Sequence, residues 1–130
     1  MKLDETKEMR AFRARARDWL ESHVPTERAA ADGPASRTFA TSWLRTLHEG
    51  GWAGLAWPEE YGGKGLAPET LLIWYEEYVR ARAPSTLDCT FVALNHAGPT
   101  VIACGTEEQK AFHLPRILNG DDWWCQGYSE

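Results

Sequence analysis

The spacing of apolar residues constrains this chain most. They recur every three and four residues in blocks closed by glycine or proline, and alternate only in the last nine residues. In the first block Met9, Phe12, Ala16, Trp19 and Leu20 form a stripe that predicts an amphipathic helix over Asp4–His23. It ends at Val24-Pro25, because the residue before a proline avoids the helical region. A second helix, Ala35–Glu49, follows from Phe39, Trp43, Leu44 and Leu47, and Gly50-Gly51 stops it. A third, Pro68–Arg82, places Leu71, Leu72, Tyr75, Tyr78 and Val79 on one face, widened by Ile73 and Trp74. Thr86–His96 and Gly98–Cys104 read as a fourth and a fifth helix. A sixth is capped by Thr106, with Gln109 at capping-box spacing. Its expected core face is Ala111, Phe112, Ile117 and Leu118, and Pro115 should tighten its last turn. The fold class expected is therefore all-α, an orthogonal bundle of about six helices.

The stretch Trp52–Ala67 is dense in glycine, proline and aromatic residues and reads as a loop pinned by Trp52, Leu55, Trp57 and Tyr61. Its Gly62-Gly63-Lys64-Gly65 invites a phosphate-loop reading. That reading fails, because no Ser or Thr follows the lysine and no helix starts there.

The last segment changes period. Trp123, Cys125, Gly127 and Ser129 alternate with Trp124, Gln126, Tyr128 and Glu130, which predicts a β-strand. A lone strand in a helical chain has no ladder partner, so its backbone groups must stay wet or pair elsewhere. The expected organisation is a helical domain over residues 1–121, with residues 122–130 opening a β-rich domain that this sequence does not contain.

Composition narrows the function. Nineteen acidic against fourteen basic residues give a net charge of −5, which argues against general affinity for nucleic acid or anionic membrane. No apolar run could span a bilayer, and the charged N-terminal residues do not read as a secretory signal. The expectation is a cytoplasmic protein. Cys89, Cys104 and Cys125 are odd in number and far apart, so buried or partly buried free thiols are expected rather than disulfides or a zinc site.

Chemistry-bearing patterns are sparse. Arg10, Arg13 and Arg17 read as a solvated face balanced by neighbouring acids. Neighbouring carboxylates on a helix, such as Glu76-Glu77, do not converge, and no Glu-x-x-His pairs stand ready for a metal. No catalytic residue and no metal ligand is assigned. His96, just before Gly98-Pro99, reads as a helix C-terminal cap.

Four stretches nevertheless resemble one family in order and interval. They are Gly51-Trp52-Ala53-Gly54-Leu55-Ala56-Trp57-Pro58-Glu59-Glu60-Tyr61-Gly62-Gly63, Gly105-Thr106-Glu107-Glu108-Gln109-Lys110, Leu114-Pro115 and Trp124-Cys125-Gln126-Gly127-Tyr128-Ser129-Glu130. Together they look like the N-terminal helical domain and the first middle-domain residues of the acyl-CoA dehydrogenase flavoproteins.

That resemblance implies an enzyme that oxidises the Cα–Cβ bond of an acyl-CoA thioester with FAD, handing electrons to an electron-transfer flavoprotein, usually as a homo- or hetero-oligomer. By motif position Gln126, Tyr128 and Ser129 would contact the flavin. Tyr75, Tyr78, Val79, Phe91, Leu94 and His96 would wall the acyl pocket. The family's catalytic carboxylate lies in a later domain, so Glu76 and Glu77 are not expected to replace it. A chain of this extent would be inactive alone. The alternatives are a non-catalytic helical interaction module, which could pair its terminal strand with a partner's sheet, and a separate subunit of a multi-chain flavoenzyme.

Overall fold

A computed structural model describes residues 4–27, 33–85 and 90–127. Among these the chain is all-helical, with α1 Lys7–His23, α2 Gly33–Glu49, α3 Pro68–Arg80, α4 Gly98–Cys104 and α5 Glu107–Leu118. A 3-10 turn covers Glu59–Tyr61, and a π-helical segment, Ala93–Ala97, runs straight into α4. None of these helices is long and apolar enough to cross a membrane. The chain divides into two compact units, one from residues 1–28 and 66–84, the other from residues 29–65 and 85–130.

The first unit pairs α1 with α3. Thr6 caps α1 by accepting the Met9 N–H at 3.2 Å, satisfying one of the donors that a helix start leaves free. Phe12, Ala16 and Leu20 of α1 are buried, as their spacing predicts, together with Ile73 and Trp74 of α3. The Trp19 and Trp74 rings meet at 6.5 Å between centroids.

The broad face expected of α3 is corrected here. Leu72, Tyr75 and Val79 point outward, at 43%, 54% and 76% exposure, and the buried face is Ile73, Trp74 and Glu77. A carboxylate inside a helix pair overturned the apolar reckoning, because its partners lie on another helix. Arg13 Nη1 donates to Glu77 Oε1 at 2.8 Å, and Arg17 Nε donates to Oε2 at 2.8 Å. Arg13 also bonds Glu5 and Glu76. Arg13 and Arg17 are thus not a solvated face. They neutralise a side chain that is only 2% exposed, and a buried charge is tolerable only when so paired.

The second unit gathers α2, the loop after it, the π segment, α4 and α5. Its core holds Trp43, Leu44 and Leu47 from α2, Ala53, Leu55 and Trp57 from the loop, and Leu114, Ile117 and Leu118 from α5. The α5 start carries the expected capping box. Gln109 N donates to Thr106 Oγ1 at 3.2 Å, and Thr106 N donates to Gln109 Oε1 at 2.9 Å. Two expected core residues of α5 are corrected: Ala111 is exposed and Phe112 is 60% exposed. Leu114 fills the position instead, one turn on. Helix α5 runs through Pro115 without ending.

The separate helices expected before and after Gly98-Pro99 are also corrected. In the π segment Gly98 N bonds Ala93 O, five residues back, instead of Leu94 O. The π register offers Leu94 O the residue Pro99, which has no N–H. Trp57 Nε1 fills the gap, donating to Leu94 O at 2.9 Å. Gly98 is required for this approach, since a Cβ there would stand 2.0 Å from the Trp57 ring. At Gly63 a Cβ would meet Trp57 O at 2.1 Å, so the loop closes on backbone at that point as well. The residues Thr86–Cys89 of the expected fourth helix lie outside the described residues.

Candidate functional site

The segment after α5 lies against the second unit through a run of side-chain anchors. Asp121 pairs with Arg45 of α2 at 3.0 Å, and Asp122 pairs with Arg116 of α5 at 2.8 Å. Arg37 of α2 stands over the Trp123 ring at 5.1 Å, and His113 of α5 meets Trp124 edge-on at 5.3 Å. Gln126 reaches His96, Nε2 to Nδ1, at 2.8 Å. Arg116 holds the Asp122 carboxyl below its ordinary range, first by hydrogen bonding. Asp121 is lowered likewise, by Asn119 and then Arg45. Residues 123–127 form neither helix nor ladder, and no partner strand occurs among the described residues.

His96 does not cap a helix end, which corrects the expectation. It sits inside the π segment, where its carbonyl accepts from Thr100 Oγ1 at 2.8 Å and its ring lies 5.2 Å from Phe91. The structure thus brings together three residues named separately from sequence: Phe91, His96 and Gln126. Leu94 is half-buried on the same segment. Tyr75, Tyr78 and Val79 belong to the other unit, where Tyr75 and Val79 are exposed and the Tyr78 hydroxyl donates to Pro84 O at 2.6 Å. Tyr128 and Ser129 lie outside the described residues.

Sequence reasoning missed a cleft of about 420 Å³ on the second unit, lined by His48, Glu60, Tyr61, Lys110, Leu114 and Leu118 among others. Lys110 there donates to Glu107 Oε1 at 2.9 Å and to the Tyr61 hydroxyl at 3.3 Å, and these contacts raise its pKa. No sequence pattern links Tyr61 to Lys110. Only the folding of the loop onto α5 does.

Glu77 has the geometry of an anchor rather than a base. Arg17 first, then Arg13, hold its pKa down to about 2 against the opposing effect of burial, so it has little affinity for a proton. Cys104 and Cys125 are free, as expected, but exposed rather than buried or partly buried, and Cys89 lies outside the described residues. Among the described residues, no group of three or more His, Cys, Asp or Glu gathers where it could hold a metal.

Residues 6–121 match the family described as acyl-CoA dehydrogenase, N-terminal domain. The chain is 41% identical over 126 residues to acyl-CoA dehydrogenase IpdE1 of Mycobacterium tuberculosis, covering 92% of this chain and 32% of that protein. It is 33% identical over 135 residues to acyl-CoA dehydrogenase FadE26 of the same bacterium, covering 100% of this chain and 33% of the relative. Among solved structures it resembles a chain of the ChsE4-ChsE5 complex of M. tuberculosis, with a TM-score of 0.70 and 32% identity, covering 93% of this chain and 30% of that one. It also resembles a chain of the Tcur3481-Tcur3483 steroid ACAD, with a TM-score of 0.69 and 33% identity over 93% of this chain and 31% of that one. The chain spans about a third of the length of the curated relatives it matches.

Proposed function

Because the chain belongs to the acyl-CoA dehydrogenase N-terminal domain family, we propose that it supplies the helical N-terminal part of an FAD-dependent acyl-CoA dehydrogenase. The match over residues 6–121 carries this reading. In it, the segment from residue 122 opens the middle β-domain, and the chain contributes part of the acyl-pocket wall and the first flavin-contacting residues. Electrons would leave through an electron-transfer flavoprotein.

Two observations among the described residues support a flavin edge here. Gln126 is exposed and its amide offers both a donor and an acceptor. A Cβ at Gly127 would meet nothing within 4 Å, which leaves that side open to a large planar group. When bound, the flavin would supply the hydride acceptor for oxidation of the thioester's Cα–Cβ bond. This chain's own part is to present Gln126, with Tyr128 and Ser129 by motif position, to the ring edge, where fixed donors favour developing negative charge. By the resemblance alone, Phe91, Leu94 and His96 are proposed as acyl-pocket contributors, and Tyr75, Tyr78 and Val79 are separately proposed as such. By the resemblance, the proton-abstracting carboxylate is assigned to the remainder of the enzyme, and Glu77, whose basicity two guanidinium groups lower, does not replace it.

The likeness to a chain of the Tcur3481-Tcur3483 steroid ACAD supports a bulky, ring-bearing acyl-CoA as substrate. The likeness to chains of two named two-component assemblies supports a working form with a second dehydrogenase-type subunit.

The experiment compares this chain with the same chain extended by the downstream coding sequence or co-expressed with the adjacent gene. FAD should co-purify with the larger assembly, which should oxidise a ring-bearing acyl-CoA with an artificial electron acceptor. The 130-residue chain alone should do neither. Stoichiometric flavin binding or turnover by the chain alone would refute the reading that its site is incomplete.

A further inference from the structure

We propose that His96 is a positioning residue for Gln126: its Nδ1 accepts a hydrogen bond from the Gln126 amide and so fixes which way that amide faces. The contact is 2.8 Å from Gln126 Nε2 to His96 Nδ1 and joins residues thirty apart in sequence. With the amide NH2 facing the ring, as proposed, Nδ1 is bare and the ring proton sits on Nε2. With one amide N–H engaged, Oε1 and the second N–H of Gln126 remain for a ligand, held at a set angle.

Two features make His96 suited to this. Its ring is steadied by Phe91 at 5.2 Å, and its backbone belongs to the π segment, whose register is fixed by Trp57 and Gly98. The segment bearing Gln126 is meanwhile tied down by the preceding anchors at Asp121, Asp122, Trp123 and Trp124. Both ends of the bond are therefore placed before any ligand arrives. A ligand meeting Gln126 then finds less freedom left to remove, which is how preorganisation favours binding. The consequence for flavin rests on the functional reading above; the clamp itself does not.

The test uses the 130-residue chain labelled with nitrogen-15. Long-range proton–nitrogen spectra of His96 should show an unprotonated Nδ1 and a protonated Nε2, and the Gln126 NH2 should show a nuclear Overhauser contact to the His96 ring. His96→Phe should abolish that contact and return the Gln126 amide to the shifts of a free glutamine, while His96→Asn, which keeps an acceptor near Nδ1, should restore displaced shifts. Gln126→Leu gives the reciprocal reading, a His96 ring with averaged tautomers. An Nδ1–H tautomer in the unmodified chain, or Gln126 shifts unchanged by His96→Phe, would overturn the proposal. In the flavin-loaded assembly, a signature that persists while flavin leaves Gln126 unperturbed would sink the flavin contact and keep the clamp.

Discussion

Trp57 Nε1 donates a hydrogen bond of 2.9 Å to the carbonyl of Leu94, thirty-seven residues away, at the point where Pro99 leaves that carbonyl without a helical donor. The indole completes a helix that cannot complete itself. Trp57→Phe should keep most of the packing yet leave a part-buried carbonyl unpaired, at a cost of about 1 kcal/mol. Gly98→Ala should cost at least as much, because its methyl would have to displace the ring. Chemical denaturation of the two variants beside the parent chain checks both. An unchanged midpoint for Gly98→Ala would show that the close approach does not exist.

The Arg13–Glu77–Arg17 cluster makes a pH prediction. Glu77 has an ordinary value of 4.5 and a folded value of about 2, so between these the unfolded chain binds the extra proton. Its stabilising contribution is complete above 4.5 and is lost as pH falls toward 2. Acid titration followed by circular dichroism should show this loss in the parent and a flatter profile in Glu77→Gln. At neutral pH that variant should be destabilised by about 3 kcal/mol, the low end for breaking a buried pair, since both arginines retain some access to water.

The capping box offers a smaller, local effect. Thr106→Ala should cost about 1 kcal/mol by freeing the Gln109 N–H at the start of α5. Gln109→Ala should cost less, because it removes only the reciprocal bond to an exposed backbone donor. Thermal melts of the two single variants and the double variant would show whether the pair is coupled.

Cys104 and Cys125 are both exposed. A thiol-exchange reagent should modify at least two sulfurs of the native chain before unfolding, and mass spectrometry of the digest should place the label on these two. Labelling of either one only in denaturant would contradict its placement.

How far the sequence revealed the fold can be argued from α1, α3 and the π segment. Helix α1 was readable because Phe12, Ala16 and Leu20 of its stripe are all buried apolar residues, its arginines lying beside them. Helix α3 was not, because Glu77 is buried by arginines some sixty residues earlier, and hydropathy counts a charged residue as outward. That error turned the helix and left Tyr75 and Val79 on its open side. The Gly98-Pro99 pair reads as a break by local rules. It becomes a change of helical register only because a tryptophan from a distant loop supplies the missing donor. At the site, Phe91, His96 and Gln126 each carried a weak motif-level signal, while their meeting is a tertiary fact. The Arg45–Asp121 and Arg116–Asp122 anchors had no signal beyond charge.

The wide turn at Ala93–Ala97 accommodates a residue more than an ordinary helical turn does. Deleting one residue there would make the Gly98 N–H to Ala93 O bond an ordinary helical one and leave the flanking turns nearly in line. What would move are the side chains the wide turn spreads, His96 among them, whose ring now meets both Phe91 and Gln126. A shortened stretch should therefore stay helical while losing that meeting.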